Sequence, residues 1–387
     1  MNIAIFSDSY RPYVSGVVRS IEAYTRALAA QGHRVYLFVP RYRRSSPAGD
    51  EAGIFRFCSL PAPTNRDFAL AIPLARGLVP LLRRLQIQVV HVHSPFLMGE
   101  LGHWAGRRLG VPVAFTYHTL YEEYAHYVPL PFGLSRRAAR WFSRRFCNRC
   151  DLVITPTPGI QQILRSYGVT SPLLALPTGI SLAPFRQADP AWLRRHLGWA
   201  ETGLEILLFV GRLGKEKNLE FLLRAFDRVH RQRPGTRLVL VAGGPEEHNL
   251  RRLARELGLE GAVLFAGPVP PEQVPAYYAG ADLFVFASVT ETQGLVLVEA
   301  KAAGLPVVAV NASGSRDVVA DGCDGVLVPA NEAAFAQAVL QLLADRPRLQ
   351  AMRDRARANA EQYDMSRLAE QLAQAYQGLQ RQSGVKE

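Results

Sequence analysis

The sequence has few of the features that mark secreted, membrane-spanning or disulfide-bonded proteins. Its 387 residues include four cysteines, too few at this length for a disulfide framework. No apolar run reaches the roughly 18 residues that a membrane-spanning helix needs. The first residues are typical of a strand, Asn2–Phe6, and not of a signal peptide. We therefore expect a cytoplasmic protein.

Two motifs with well-known chemistry are also missing. No D-x-D pair, which can hold a divalent metal on a diphosphate, occurs in the sequence. The glycine-containing stretch Ser15–Ser20 does not have the pattern G-x-G-x-x-G, so the main sequence evidence for a dinucleotide-dependent oxidoreductase is missing. Cys147 and Cys150 form a lone C-x-x-C without a second ligand pair for zinc. We interpret them as two thiols at a helix end and predict no metal site.

Acidic residues are outnumbered by basic ones, 33 to 45, which gives a formal net charge of +12 and a pI near 9.8. Such an excess suits nucleic acid, an anionic membrane surface or a phosphorylated substrate. Which of these partners is favoured depends on where the basic residues lie along the chain.

Hydrophobic patterning predicts two runs of alternating strands and helices, separated by a proline-rich break at Pro177–Pro184. The strand candidates are 3–6, 35–39, 89–93, 113–117, 152–155 and 173–176 in the first run, and 206–210, 238–241, 263–265, 283–286 and 307–310 in the second. Such alternation is typical of doubly wound parallel sheets. We predict an α/β protein with two Rossmann-like domains facing each other across a cleft.

The stretch 283–310 carries the most informative pattern of polar residues. An apolar strand, Leu283–Phe286, is followed by a polar loop containing Glu291 and by a predicted helix containing Glu299. Open α/β sheets bind ligands at the carboxyl ends of such strands. Backbone N–H groups at a helix start favour an anion, and this start comprises Gln293, Gly294 and Leu295. Two carboxylates beside an anion site suit a nucleotide sugar better than a simple phosphate ester.

Two cations follow the first strand of the second run. Arg212 and Lys217 are placed to neutralise a diphosphate and to stabilise its charge as it leaves. A glycoside hydrolase would also use two carboxylates, but it would give these cations no purpose. A non-catalytic basic module is the remaining alternative.

A histidine follows a strand of the first run, within Thr116–Thr119. We expect His118 at the carboxyl edge of the first sheet. General-base catalysis is one functional interpretation, although a lone histidine is more often structural. Proton transfer by His118 is therefore left open.

These motifs, in this order, resemble the retaining GT-B glycosyltransferases of family 4. The spacing from Glu291 to Glu299, followed by A-x-A-A-G-x-P-V-V-A, is similar to the family signature, and Arg212 with Lys217 matches its basic motif. The tyrosine-rich run 116–131 and the sequence T-E-T-Q-G resemble the membrane-associated 1,2-diacylglycerol 3-alpha-glucosyltransferases within that family.

The resemblance implies the roles of individual residues. Arg212 and Lys217 would stabilise departing UDP, and Glu291 would position the sugar together with the amides of Gln293, Gly294 and Leu295. Glu299 would bind the ribose, and His118 would lie near the donor sugar. The further residues implied to contact the nucleotide sugar are Gly16, Gly243 and Val269. A UDP-sugar would be the co-substrate, with no tightly bound cofactor and no metal.

The resemblance also implies an organisation and a reaction. We expect an N-terminal acceptor and membrane domain at 1–178, a donor domain at 179–363 and a C-terminal helix, 364–387, returning to the N-terminal domain. The expected reaction moves glucose from UDP-glucose to diacylglycerol at the cytoplasmic membrane face, with retention. The alternative is a mannosyl- or glucosyltransferase acting on phosphatidylinositol or a soluble sugar.

Positive charge is concentrated at 134–149, where six arginines and no acid alternate with aromatic residues. On a helix the apolar residues share one face flanked by arginines, which is typical of a helix lying in lipid headgroups. The predicted membrane contacts are Arg136, Arg137, Arg140, Trp141, Arg144 and Arg145. The competing interpretation is that the aromatic residues pack the domain and the arginines form its rim. Nucleic acid is the least favoured partner because no recognised module is present.

Overall fold

The computed structural model describes residues 1–13, 15–42, 52–62, 68–74, 76–122, 132–199 and 203–384. The chain divides into two compact units. Unit 1 comprises Met1–Gly179 together with Met365–Glu387, and unit 2 comprises Ile180–Asp364. Among the described residues, no helix combines the length and apolar character that crossing a membrane would require.

Unit 1 alternates strands and helices over most of its length. Its strands are β1 (Asn2–Phe6), β2 (Arg34–Pro40), β3 (Ile54–Phe57), β4 (Ser59–Pro61), β5 (Ala69–Ala71), β6 (Val89–Val92), β7 (Val113–Thr116), β8 (Leu152–Thr155) and β9 (Leu173–Ala175). Its helices are α1 (Gly16–Ala30), α2 (Leu78–Arg84), α3 (Leu97–Leu109), α4 (Phe132–Cys147), α5 (Pro158–Ser166) and the last helix of the chain, α15 (Met365–Gly384).

The described strands of unit 1 form a parallel sheet in the order β3-β2-β1-β6-β7-β8-β9, with β4 and β5 as a separate antiparallel pair. In β1, Ile3 lies opposite Val35 of β2 and Val89 of β6. The strand order reverses between β1 and β6. This reversal is the topological switch point, beside which open α/β sheets bind their ligands.

Both faces of the unit 1 sheet are covered by helices. Ile3 and Ile5 belong to an apolar cluster with residues of α1 and α15, and Ala4 and Phe6 belong to a second cluster with residues of α2, α3 and α5. All four side chains are at most 1% exposed. Burial on both faces explains why these strands read as nearly continuous apolar runs.

Unit 2 repeats the same plan. Its strands are β10 (Glu205–Val210), β11 (Thr236–Val241), β12 (Val263–Gly267), β13 (Leu283–Phe286), β14 (Val307–Val310) and β15 (Gly325–Val328). Its helices are α6 (Ala183–Gln187), α7 (Trp192–His196), α8 (Leu219–Gln232), α9 (Glu247–Glu256), α10 (Val274–Gly280), α11 (Leu295–Ala302), α12 (Ser313–Val318), α13 (Glu332–Ala344) and α14 (Arg346–Ala360). The described strands form a parallel sheet in the order β12-β11-β10-β13-β14-β15, so its switch point lies between β10 and β13.

Two doubly wound parallel sheets confirm the predicted fold class. The strand prediction missed β3 and β15, as well as the short pair β4 and β5. β3 is only partly buried, and β15 begins at a glycine, so neither has the long apolar run by which the other strands were recognised. β4 and β5 have three residues each, too few for a periodic pattern.

Candidate active site

An ion pair spans the switch point of unit 2. Lys217 ends a short 3-10 turn after β10, and Glu291 lies in the loop after β13. The Lys217 Nζ donates to Glu291 Oε1, and each side chain is 20% exposed. The structure therefore brings together one cation and one carboxylate that the sequence assigned to the same ligand.

The loops that carry this pair are linked to each other. The Ser288 hydroxyl donates to the Glu216 carbonyl over 2.8 Å, which joins the loop after β13 to the turn after β10. On the other side, the start of α12 lies directly against the Glu291 backbone. A Cβ atom at Gly314 would be 2.7 Å from the Glu291 carbonyl oxygen. Only glycine permits this close approach, which limits where the Glu291 loop can move.

Helix α11 places the second carboxylate. Gly294 has φ +73° at the N-cap, a left-handed conformation that favours glycine, and the helix begins at Leu295. Glu299 is 7% exposed, and its Oε2 accepts a hydrogen bond of 2.8 Å from the Tyr278 hydroxyl of α10. Glu299 is thus a positioned carboxylate and not a solvated helix residue.

A buried ion pair anchors the far end of α11. Lys301 and Asp324 are 1% and 0% exposed, with 2.8 Å between Nζ and Oδ2. Lys301 also donates to the Val318 carbonyl over 2.7 Å, and Asp324 accepts from the Asn359 side chain and the Ala320 amide, each over 2.8 Å. Lys301 was not among the predicted site residues, because a helical lysine usually lies in solvent. Its apolar surroundings in V-E-A-K-A-A-G are the signal that could have indicated burial.

The remaining predicted donor residues lie on neighbouring turns along the carboxyl edge of the unit 2 sheet. Arg212 follows β10 and is exposed, and none of the described residues forms an ion pair with it. Gly243 follows β11, and its carbonyl accepts from the Leu213 amide over 3.2 Å, which joins the turns after β10 and β11. Val269 follows β12 and is partly buried. In the observed strand order β11 is next to β10, which precedes Lys217, and β12 is one strand farther away.

Unit 1 contains the two other predicted residues. Gly16 is the first residue of α1, and the Ser15 side chain caps the helix by accepting from the Val18 amide over 3.3 Å. A Cβ atom at Gly16 would meet nothing within 4 Å, and its φ is not positive. Packing and backbone conformation therefore do not require glycine here, whereas close approach of an anion to the helix start would.

His118 follows β7 and belongs to a row of histidines. His118 Nε2 and His93 Nδ1 share a hydrogen bond of 2.8 Å. His91 bonds through Nε2 to the Thr116 hydroxyl, over 2.7 Å, and through Nδ1 to the Tyr376 hydroxyl, over 2.6 Å. No functional role was predicted for His91 and His93 from the sequence. Their spacing of two residues within the predicted strand 89–93, which puts both side chains on one face of the sheet, was the available signal.

Burial determines the charge of this row. Loss of hydration lowers the pKa of His118 to about 4. It also lowers the pKa of His91 to about 3, with a smaller contribution from His118. The pKa of His93 is lowered by burial and by both neighbouring histidines. All three imidazoles are therefore neutral near pH 7, so His118 is a hydrogen-bonding group there and not a cation.

The apolar residues of α4 divide between two environments. Phe146 is 1% exposed in the core, whereas Leu134 and Trp141 are 56% and 61% exposed. The outer side also carries three exposed arginines, Arg137, Arg144 and Arg145, and the Arg145 guanidinium lies 5.6 Å from the centre of the Trp141 ring. The competing packing interpretation is thus correct for Phe146 and wrong for Trp141.

Two of the predicted membrane contacts are engaged within unit 1. Arg140 donates to Glu122, and the Arg136 guanidinium lies 3.7 Å from the same carboxylate. Because Glu122 partly neutralises them, these two arginines are less suited to bind an external anionic partner than the three on the outer side of α4. The rest of the tyrosine-rich segment, 123–131, lies outside the described residues.

Comparison with known proteins identifies the family. Residues 14–183 match the profile described as Glycosyltransferase Family 4, and residues 196–362 match Glycosyl transferases group 1. The chain is 33% identical over 352 residues to an alpha-monoglucosyldiacylglycerol synthase of Streptococcus pneumoniae, covering 90% of this chain and 79% of the relative. The chain belongs to glycosyltransferase family 4. This family 4 glycosyltransferase is also 35% identical to a D-inositol 3-phosphate glycosyltransferase of Nocardia farcinica, covering 97% of this chain and 84% of that one.

Solved structures agree on the fold. The crystal structure of Anabaena HepE in complex with UDP superimposes with a TM-score of 0.80 at 20% identity, covering 98% of this chain and 100% of HepE. The fold is GT-B, and the predicted enzyme class, a glycosyltransferase that uses a nucleotide sugar, is confirmed. The part of the chain that the structure describes contains no group of three or more histidine, cysteine, aspartate or glutamate side chains suited to a metal. Independence of metal stays a prediction.

Proposed function

We propose that this family 4 enzyme transfers glucose from UDP-glucose, with retention, to the hydroxyl of a diacylglycerol-type lipid. The arrangement at the unit 2 switch point carries this proposal. There Lys217 pairs with Glu291, the loop of Glu291 leads into the helix start at Gly294, and the same helix carries the buried carboxylate of Glu299. Similarity to the alpha-monoglucosyldiacylglycerol synthase of Streptococcus pneumoniae supports the lipid acceptor and the glucosyl donor.

The proposed roles are those that the family resemblance implies, and the charge and burial of the side chains agree with them. Arg212 is exposed and takes the diphosphate, whereas Lys217 is shared between the diphosphate and Glu291. Glu291 and the amides at the start of α11 bind sugar hydroxyls. Glu299, held by Tyr278, accepts hydrogen bonds from the ribose. Gly243 and Val269 flank the nucleotide on the neighbouring turns.

The proposed chemistry needs no enzymic nucleophile. The acceptor oxygen bonds to the anomeric carbon on the face from which UDP departs, and the bond from that carbon to the phosphate oxygen breaks. The departing phosphate oxygen takes the acceptor proton, so the products are the glycolipid and UDP. Fixed cations stabilise the negative charge that develops on the phosphate. His118, neutral near pH 7, and the helix start at Gly16 contribute contacts to the donor and not a proton.

Attachment to the membrane is part of the proposal. The exposed outer side of α4 presents Leu134 and Trp141 together with Arg137, Arg144 and Arg145. Apolar side chains at headgroup depth and arginines beside anionic phosphates give reversible peripheral binding. We assign this binding to the cytoplasmic face of the cell membrane.

The deciding experiment incubates the enzyme with a panel of nucleotide sugars and purified lipids and identifies products by mass spectrometry. Nuclear magnetic resonance then gives the anomeric configuration. We expect an α-glucosyl diacylglycerol from UDP-glucose and affinity for UDP by calorimetry. Absence of UDP binding, or unchanged turnover after replacement of both Arg212 and Lys217, would refute the donor site.

A second candidate function is favoured by the relative from Nocardia farcinica, a D-inositol 3-phosphate glycosyltransferase. On this alternative the acceptor is a soluble inositol phosphate, or phosphatidylinositol with the same ring. Both belong in the same acceptor panel. A product formed from inositol phosphate in the absence of lipid would replace diacylglycerol as the acceptor and leave the donor site as proposed.

A further inference from the structure

Unit 1 contains an apolar groove that the reaction described above does not use. Its volume is about 810 Å³, within the range of small-molecule binding sites. Two acidic residues, Asp8 and Glu100, are the charged members of its lining. Its large apolar side chains that are not fully buried are Phe68, Leu70, Phe96, Leu97, Trp104 and Phe142.

The groove lies at the switch point of the unit 1 sheet. Asp8 follows β1, and Ser94 follows β6, the strands between which the order reverses. The Ser94 hydroxyl donates to Asp8 Oδ2 over 2.5 Å, and the Met98 amide donates to Asp8 Oδ1 over 2.9 Å. The inner end of the groove thus has a fixed carboxylate at the position where doubly wound sheets bind ligands. Ser94 also directly follows His93, the hydrogen-bond partner of His118.

The walls of the groove are open to solvent. Leu70, Phe96, Leu97 and Trp104 are between 38% and 47% exposed. Large apolar side chains that remain exposed around one concavity mark a binding site for an apolar ligand. The Phe96 ring stacks on Phe142 with centroids 5.6 Å apart, so the helix whose outer side carries the exposed arginines also supplies one groove wall.

We propose that this groove binds one acyl chain of the lipid acceptor, an inference that rests on the proposed function. A hydrocarbon chain suits the lining, which offers few polar partners for a sugar or a peptide. It also suits the location. One wall belongs to α4, the helix assigned to the membrane, and the inner end reaches Asp8 on the sheet edge that carries His118. The acceptor hydroxyl then lies at that edge with the chain directed outwards along the groove.

The test uses monodisperse acceptors, because a chain leaving a bilayer would gain little on entering another apolar environment. We compare kcat/KM for 1,2-dihexanoylglycerol and 1,2-dibutyrylglycerol, which differ by two methylenes in each chain. Each methylene moved from water into an apolar site changes an equilibrium constant about fourfold. Burial of one chain therefore predicts that the longer acceptor has about a 16-fold higher kcat/KM.

Leu97→Asp is the variant that tests the groove itself. Leu97 is 39% exposed at the first position of α3, where an aspartate is well tolerated by the helix, but a hydrocarbon chain would have to desolvate the new carboxylate. We expect the ratio of kcat/KM between the two acceptors to fall from about 16-fold to near one. Leu74→Asp, at an exposed leucine outside the groove, adds the same charge and should keep the ratio. Equal ratios in wild type and Leu97→Asp would overturn the proposal.

A binding measurement separates this proposal from the proposed function. Trp104 lies in the groove wall, so 1,2-bis(6-bromohexanoyl)glycerol should quench its fluorescence, isolated by comparison with Trp104→Phe. Quenching in wild type that is lost in Leu97→Asp supports the groove even if no lipid is glycosylated. Transfer to lipid without such quenching supports the function and refutes the groove.

Discussion

The contact between Lys217 and Glu291 joins two side chains to which we assign different parts of the donor. A lysine shared by a carboxylate and a diphosphate holds both at fixed separation, so its removal affects the leaving group and also releases Glu291. The two residues are 74 positions apart in the sequence. Motifs could assign each of them to a nucleotide sugar, but only the folded chain shows that they touch.

We predict that Lys217→Gln lowers kcat/KM by about 100-fold to 1,000-fold, the usual effect of losing one group that stabilises developing charge. Steady-state kinetics with UDP-glucose measures it. The matched control is Lys215→Gln, two residues away on the same turn and exposed, which should stay within about twofold of wild type. In a double-mutant cycle with Glu291→Gln the losses should not add. Additive losses would mean that the two side chains act independently.

A substitution at Gly16 can separate an effect on donor binding from an effect on stability. Because a Cβ atom there meets nothing within 4 Å and φ is not positive, Gly16→Ala should leave the melting temperature unchanged or raise it, as alanine is favoured over glycine in a helix by about 1 kcal/mol. We expect KM for the UDP-sugar to rise at least about tenfold, since the methyl group blocks the anion at the helix start. A stable variant with unaltered KM would remove Gly16 from the donor site.

At the scale of elements, the burial pattern made the sheets predictable and the local motifs made their carboxyl edges predictable. Strands buried on both faces, such as β10 and β13, appear as apolar runs, and the polar residues after them mark the ligand edge. What could not be predicted depends on distant contacts. His93 joins His118 across 25 residues, and Lys301 of α11 pairs with Asp324, which lies beyond β14 in the sequence.

The anchor of α11 gives a stability prediction. Lys301→Met leaves Asp324 buried without its cation, which should reduce the free energy of unfolding of unit 2 by about 3–5 kcal/mol. Urea denaturation measures this loss. Replacing both partners, as Lys301→Met with Asp324→Leu, should recover a large part of it because no uncompensated charge remains. If the single variant is as stable as wild type, the pair does not hold α11 in place.

The histidine row, with His91 on β6, His93 directly after it and His118 after β7, predicts a pH dependence. The pKa of His118, about 4, and of His91, about 3, lie below the value of about 6.5 that an unfolded chain would have. Between pH 6.5 and 4 the unfolded chain binds protons that the folded chain does not, so the free energy of unfolding falls on acidification. The slope is at most about 1.4 kcal/mol per pH unit for each histidine. Asp8, whose pKa is raised by burial, contributes with the opposite sign.

Urea denaturation at pH 7 and pH 5 tests this dependence. His91→Asn should reduce the difference in unfolding free energy between the two pH values, because one titrating group is lost from the row. Replacement of His230, a histidine of unit 2 on α8, is the control and should keep the wild-type difference. Equal stability of the wild-type protein at both pH values would contradict the burial of neutral imidazoles.

At the scale of the whole molecule, the net charge of +12 could by itself attract the protein to any anionic surface. Binding through one specific surface of the protein makes a different prediction, because a few side chains on one helix then account for the attraction to the membrane. The structure leaves four of the six predicted membrane contacts as candidates, because Arg136 and Arg140 face Glu122. The three outer arginines of α4 and Trp141 remain as the group to test.

We predict that Arg137, Arg144 and Arg145→Glu abolishes flotation with vesicles containing phosphatidylglycerol, since each basic residue at an anionic surface contributes about 1 kcal/mol. The control reverses three exposed arginines of unit 2, Arg224, Arg348 and Arg355, and so changes the net charge by the same amount. If only the α4 variant stays unbound, and wild-type binding weakens with added salt, a defined face binds the membrane. If both variants lose binding equally, the attraction belongs to the overall charge and α4 has no special part in it.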